Sequence, residues 1–556
     1  MFGGLLSYIL RKVGGSWNQP PTSLWLKRGR EMSLSVQENR IVAVNRVGEN
    51  SLQTVLQGKV ELPSTAAPIG RIVWVKGDPV VDSFTVDQDR VYVQGAVDLA
   101  MVYVPETLGD EPAGLSRVEW PSALPFDTYV EVLGADPDAL ASVDLTILAC
   151  EWVLAAGQFA LDVDIILAVD AAVDQVREFT AVSGANLAKP VKLTTDGVVL
   201  NPLPPPLELK VAKQVTGMLD FAEEDGLVRT ILDLEAEIKL EEAVFSEGTL
   251  EVRAWASLDL LYEAEDLTVK YRQFAQALTF DLSFQQEGIQ PGMALKCGLQ
   301  KSCEGFVVND GRSIRVELSI GGALLATAAQ PIQVLTDISA PGGLVETRKE
   351  LLAVDSAVSQ KDQQAVVRGL IELTEGLPPI REILKSRAQP HVTDFEVEED
   401  KLTVEGVVDL EIFYLAHSEE DTKPLFRGYF PEAIPFSQTL AIPGLELGMQ
   451  PRIDLKCVAV RPDLINRETM EAAITLRYKV DVVEYLEVEA VVEAVDVEPA
   501  PEDPPTLTFV FTQGGDTVWK LAKRYHTTEE AILQANPSLQ DEAGALKPGD
   551  HICIPR

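Results

Sequence analysis

Carboxylates are the one chemically competent residue type that this chain supplies in quantity. Its 556 residues hold 86 Asp and Glu against 47 Lys and Arg. Two carboxylates can run a hydrolysis, one as acid and one as base or nucleophile, if a cleft gives them unequal environments. The pattern argues against such a cleft. In the run Leu402 to Leu410, Leu402, Val404, Gly406, Val408 and Leu410 fall on one side, and Thr403, Glu405, Val407 and Asp409 fall on the other. That is a half-buried strand with its acids on the solvated face. Asp98 and Asp409 stand five residues before Tyr103 and Tyr414, but Ser257 holds that place before Tyr262. The tyrosines are expected to pack at strand ends. The chain has no nucleophile elbow, Walker loop or HExxH sequence, so no catalytic residue is assigned and a non-enzyme is expected.

The remaining reactive residues are sparse. Cys150, Cys297, Cys303, Cys457 and Cys553 are odd in number, scattered and without a CxxC. That spacing favours inert, buried free thiols in a reducing compartment over a disulfide framework or a zinc site. His391, His417, His526 and His551 are too dispersed to suggest a metal centre. No metal or cofactor is expected. The formal charge of -39 opposes binding to nucleic acid, which needs clustered Lys and Arg, and opposes general attraction to anionic membranes. The most apolar region, Val143 to Val173, is interrupted by five acids and reads as strands rather than a membrane span.

These residues must be positioned by a repeat. Arg71, Arg229 and Arg381 each open an apolar run that leads to Tyr103, Tyr262 and Tyr414, at separations of 32, 33 and 33 residues. Leu124-Pro125-Phe126, Leu278-Thr279-Phe280 and Ile434-Pro435-Phe436 follow. Thirteen residues beyond each Phe stand Ala139, Met293 and Met449. Matched spacings in three copies define a repeat, and the period-two alternation inside each predicts a mainly β, sandwich-like unit. The expected units are residues 33–200, 206–340 and 350–496. Asn201 to Pro206 reads as a stiff link between the first two copies, and Ala340 to Gly343 as a link between the second and third. Thr347-Arg348-Lys349-Glu350 also reads as a link. Residues 497–505, rich in Pro and acid, read as an extended spacer that holds the last segment away from the third repeat.

At the other end, residues 1–32 are basic. They are either an amphipathic leader able to touch a membrane or sequence upstream of a true start at Met32. Membrane contact is expected only in the first case.

The last segment, residues 506–556, has its own start and stop. Six acids (Asp516, Glu529, Glu530, Asp541, Glu542, Asp550) meet five bases (Lys520, Lys523, Arg524, Lys547, Arg556), so it is near neutral while the arm holds the negative charge. Thr508 to Thr512 alternates as a strand, Gly514-Gly515 makes a turn, and Asp516 or Thr517 can cap the following helix. Val518, Leu521, Ala522 and Tyr525 form one apolar helical stripe. Thr527 to Glu530 reads as a capping box for a second helix that stops at Asn536-Pro537. His551 to Ile554 closes the unit as a strand, giving β-α-α-β. Trp519 is assigned to the core of this unit.

The stretches GGDTVWKLAKRY, EEAILQANPSL and LKPGDHICIP resemble the signatures of the LysM family, although that family often has Pro where this chain has Gly514. The resemblance implies binding of peptidoglycan or another N-acetylglucosamine polymer in a shallow groove between two loops. Carried onto this sequence, these are Gly514, Gly515, Asp516 and Thr517, and Asn536, Pro537, Ser538 and Leu539. Backbone groups would bond the sugar, and Pro537 and Leu539 would floor the groove. Three β repeats followed by such a head resemble the SPOCS-domain spore coat morphogenetic proteins of endospore-forming bacteria. That resemblance implies a coat assembly scaffold in the mother-cell cytoplasm at the forespore surface. It also implies contact with the coat base-layer ATPase, sporulation stage IV protein A, and in such proteins the LysM head can contact a coat protein instead of glycan. A general cell-wall glycan binder without a sporulation role is the alternative.

Overall fold

The computed structural model describes residues 34–106, 114–155, 157–187, 193–328, 330–340, 345–417, 424–496, 507–525, 527–539 and 546–555. The basic segment 1–32 and the spacer 497–505 lie outside the described residues.

The first repeat comprises β1 (Leu34–Glu61), β2 (Ile69–Asp87), β3 (Arg90–Pro105), β4 (Ser116–Glu131), β5 (Leu140–Leu154) and β6 (Ala160–Leu187). Antiparallel sheets β1-β6-β5 and β2-β3-β4 face each other, and the inward side chains of both build one core that includes Val93, Leu99, Leu161 and Leu167. The sandwich expected from the alternation is therefore present, and acids such as Asp162 and Asp164 point outward between buried Leu161, Val163 and Ile165.

β1 and β6 are each 28 residues long, twice what the sandwich needs. From Gly48 to Glu61, β1 pairs with the part of β6 that β5 also holds. Beyond a bulge at Arg46/Gly48, Leu34 to Arg46 pairs with β6 alone as a projecting ribbon.

The third repeat has the same plan. β16 (Val345–Glu372), β17 (Ile380–Glu398), β18 (Lys401–Ala416), β19 (Leu425–Ala441), β20 (Gln450–Leu464) and β21 (Thr469–Asp496) form sheets β16-β21-β20 and β17-β18-β19. Its ribbon starts at a bulge between Ala357 and Ser359. Thr347 to Glu350, expected to be a link, lies inside β16.

In the second repeat the long strands are cut. The elements are β7 (Thr194–Leu200), β8 (Leu207–Lys210), β9 (Lys213–Asp220), β10 (Val228–Ser246), β11 (Thr249–Ala264), β12 (Val269–Gln285), β13 (Ala294–Val308), β14 (Ser313–Thr327) and β15 (Ile332–Ser339). β7 pairs with β15 as the ribbon, while β9, β14 and β13 form the sandwich sheet opposite β10-β11-β12. The cut falls at Pro202, Pro204, Pro205 and Pro206 on one strand and Pro331 on the other, where the missing N–H groups cannot continue a ladder. The Pro-rich stretch is thus not a link between repeats, and β7 pairs with the end of the second repeat rather than belonging with the first. Val44 N–H donates to Leu203 C=O at 2.8 Å and Ala357 N–H donates to Asn201 C=O at 2.8 Å, so this stretch is wedged between β1 and β16.

The matched residues find local reasons. Tyr103, Tyr262 and Tyr414 are buried, and their hydroxyls donate to the carbonyls of Ala67, Asp225 and Pro378 at 3.0, 3.1 and 3.0 Å. Each pins its strand end to the preceding loop. Gly406 lies beneath Phe436. A Cβ there would overlap the His391 carbonyl oxygen and approach the ring to 2.5 Å; Gly95 stands likewise opposite Phe126, while Ala254 holds the place opposite Phe280.

The three repeats do not string out into an arm. Their β2, β10–β11 and β18 strands meet in a shared apolar cluster of Val73, Trp74, Leu232, Leu261, Phe413 and Leu415. Their ribbons meet at a second junction, which includes Leu34, Val182, Leu335, Ile338, Val345 and Val491. Each ribbon is too thin to cover its own apolar face, so three cover one another.

Candidate functional site

Two places in the fold gather functional groups. The first is the centre of the body. Lys385 Nζ, almost fully buried, donates to Asp233 at 2.7 Å and Glu235 at 2.9 Å. Arg387 reaches Asp233 at 2.5 Å, Glu235 at 2.6 Å and Glu411 at 3.2 Å, and Lys76 adds a 3.0 Å contact to Glu235. Burial alone would raise the Glu235 carboxyl. Arg387, Lys385 and Lys76 outweigh it and hold the group well below the usual carboxylate range. Each of these acids is saturated by cations, an arrangement suited to locking three repeats in register rather than to moving protons. Nothing in the sequence pairs Lys385 with Asp233, 152 residues apart.

The acids singled out by their spacing also serve structure. Asp98 accepts from Ser122 N–H at 2.6 Å and Asp409 accepts from Glu432 N–H at 2.7 Å. Ser122 and Glu432 have φ of 50° and 49°, so each carboxylate caps a strained bulge.

All five cysteines are free thiols, but the expected burial is incomplete. Cys297 is exposed and the others are half-buried. Burial pushes the thiols of Cys150, Cys303 and Cys457 up to about 11, which keeps them inert near neutral pH. Among the described residues no helix is long and apolar enough to cross a membrane.

The second place is the head. β22 (Leu507–Phe511) pairs with β23 (His551–Pro555), and α1 (Val518–Arg524) and α2 (Glu529–Ala535) lie between them in sequence, as the pattern predicts. Val518, Leu521, Ala522, Ile532, Leu539, Ile552 and Ile554 form its core. Thr517 caps α1 by accepting from Lys520 N–H at 3.2 Å. Asp516 instead accepts from Gln513 N–H at 2.8 Å and pairs with Arg524 at 3.0 Å. The bond from Gln513 and the Arg524 charge draw its carboxyl below the ordinary value. The α2 cap is Thr528, which accepts from Ala531 N–H at 3.1 Å. The Thr527 hydroxyl donates to Pro555 C=O at 2.9 Å, so the cap falls one residue later than expected, and Ala531 three residues on cannot complete a capping box.

The two loops divide unequally between structure and surface. Gly514, Gly515, Thr517, Pro537 and Ser538 are exposed and Asp516 is half-buried. Gly515 has φ of +87°, a conformation that glycine adopts without strain. Asn536 is buried. Its side-chain amide donates to Ile532 C=O at 2.7 Å and Cys553 C=O at 2.6 Å, and its oxygen accepts from Cys553 N–H at 2.8 Å. Leu539 is also buried. These two side chains are therefore pillars behind the surface, and Leu539 is not the exposed apolar floor expected of it. What the loops present is exposed backbone, Thr517, Pro537 and Ser538, anchored through Val518 and Leu539 in one core.

Trp519 belongs to neither the head's core nor a free surface. Its indole N–H donates to Asp337 of β15 at 2.7 Å, and Lys523 pairs with the same carboxylate. Lys349 of β16 stands 3.5 Å away. Burial works against ionisation of Asp337, but the bonds from Lys523 and Trp519 and the nearby Lys charges win and lower its value. The head is docked on the ribbon junction rather than held away from the body. The sequence carried no signal for this contact, since Asp337 and Trp519 lie 182 residues apart.

Comparison with protein families agrees with this architecture. The family described as SipL, SPOCS domain, matches residues 68–153 and 379–461, in the first and third repeats. The LysM domain matches residues 513–555. The chain thus carries two segments similar to the SPOCS domain and a C-terminal LysM domain. The second repeat, outside the matched segments, keeps the strand order of the first and third around its proline cuts. LysM is a family of peptidoglycan and carbohydrate binding, SPOCS domains belong to a sporulation family, and both are binding rather than catalytic types. No curated protein and no solved structure is a significant match.

Proposed function

We propose that the chain is a non-enzymatic assembly scaffold of the spore envelope, and that its LysM head binds an N-acetylglucosamine polymer such as cortex peptidoglycan. The observation that carries this reading is a head whose loops expose backbone, Thr517, Pro537 and Ser538, mounted on a three-repeat body whose charged centre is spent on cohesion. Exposed N–H and C=O groups suit acetamido and hydroxyl groups, and Pro537 offers an apolar edge. Gly514, Gly515 and Asp516 complete the first loop. In the second, Asn536 and Leu539 act by positioning Pro537 and Ser538. The negative body suits a protein surface of complementary charge, and the coat base-layer ATPase (sporulation stage IV protein A) is the partner that this role implies. The site of action would be the mother-cell face of the forespore.

Co-sedimentation of the full chain with purified peptidoglycan tests the head. Retention is expected, with release on Ser538→Trp, which fills the space between the loops. Retention unaffected by that variant would refute the assignment of the loops. A fluorescent fusion that stays diffuse during sporulation would overturn the scaffold role and favour a general wall-glycan binder.

A further inference from the structure

The head has a second surface, on the sheet and away from the loops. Among the described residues β22 pairs with β23 alone in a two-stranded sheet, so its outer edge carries backbone groups with no ladder partner there. The strand reads Leu507-Thr508-Phe509-Val510-Phe511. It has none of the charges or prolines that usually blunt an edge. Val510 packs against the head's core. On the opposite face Leu507, Phe509 and Phe511 are 55%, 59% and 70% exposed. His551 stacks on Phe509 at 5.0 Å and lies 4.9 Å from Phe511. Each phenyl ring has one face set against the His551 imidazole. A strip of exposed apolar side chains beside an open strand edge suits another strand.

We propose that β22 is a self-association edge, which pairs antiparallel with β22 of a second copy about a two-fold axis at Phe509. Three observations select a second copy as the occupant. The strand is close to palindromic in its apolar positions, so antiparallel pairing sets Phe509 against Phe509 and Leu507 against Phe511, with all six side chains on one face. The head contributes six acids and five bases, a net of one negative charge out of the 39, so two copies meet here with the least repulsion. The strip also stays exposed while the head is docked through Trp519, so pairing does not require release from the body. The three side chains expose on the order of 350 Å² per copy, given roughly 150–250 Å² for a whole aromatic residue. Edge pairing covers only the part of this that neighbours across the axis touch, well below the ~1,200 Å² of a stable interface. The association is weak and concentration-dependent, which suits a protein packed on a surface.

Sedimentation velocity of the full chain, from dilute to near-millimolar concentration, tests the proposal. The sedimentation coefficient is expected to rise with concentration. Phe509→Glu sets two carboxylates on the axis and should hold the chain monomeric, with an unchanged far-ultraviolet circular dichroism spectrum because the side chain is exposed. Leu507→Lys and Phe511→Glu should each weaken association, and the double variant should regain it, since each Lys then faces a Glu across the axis. A wild-type chain that stays monomeric throughout, a Phe509→Glu chain that associates like wild type, or a double variant that regains nothing would each overturn the proposal. Phe509 lies outside the two loops, so peptidoglycan retention of Phe509→Glu reports on the glycan site separately.

Discussion

Replacing Asp337 by Asn should release the LysM head from the body. Asp337 accepts the Trp519 indole N–H at 2.7 Å, pairs with Lys523, and is only 13% exposed in its side chain. A hydrogen bond to a charged group contributes about 1.5–3 kcal/mol. The Lys523 ammonium is more than a third exposed and adds about 0.5 kcal/mol. The amide keeps the shape and a weaker bond to Trp519, so the net loss is about 2 kcal/mol, or roughly a 30-fold fall in the docked-to-free ratio. Hydrogen–deuterium exchange read by mass spectrometry on segments 332–339 and 518–525 is the assay. Both should exchange faster in Asp337→Asn, while segments 91–105 and 402–416, deep in the sandwiches, should not change. The pH dependence has a definite sign. The carboxyl is lowered in the docked state, so its contribution is complete above the ordinary Asp range near ~4. It is lost as pH falls through that range towards the docked value, and docking should be flat near neutrality. Equal exchange in Asp337→Asn and wild type at both segments would refute the reasoning.

Two further outcomes follow from buried polar groups. Lys385→Met leaves Asp233 and Glu235 short of a cation at the centre of the body, and should cost about 3 kcal/mol, the low end for a broken buried pair because Arg387 remains. The urea midpoint reads this, and an unshifted midpoint would show that the network does not hold the repeats. Asn536→Ala strips Cys553 of partners for both its N–H and its C=O, and should destabilise the head by about 2–3 kcal/mol. Faster exchange across 551–555 with an unchanged body transition is the expected signature, and an unaffected head would show that Asn536 does not hold β23 in place.

Much of this protein is written in local order. The alternation through Leu402 to Leu410 became β18, the Arg-to-Tyr spacing became three equivalent strand pairs, and the stripe Val518, Leu521, Ala522 became the buried face of α1. Such signals survive in sequence because a strand or helix places residues two, three or four apart on one face. Of the candidate loops, the sequence located both turns and the surface positions Pro537 and Ser538, yet could not tell that Asn536 and Leu539 point inward, since that depends on β23 closing behind them. The proline stretch Asn201 to Pro206 shows the same limit. Proline forbids a continuous ladder wherever it stands, but whether the break is a link between domains or a wedge between β1 and β16 depends on chains 155 residues apart. The ion network at Lys385 and the docking of Trp519 on Asp337 belong wholly to the tertiary structure. Charged and aromatic side chains choose partners by distance in space, and nothing in the chain near Trp519 or Lys385 marks which of the 86 acids it will meet.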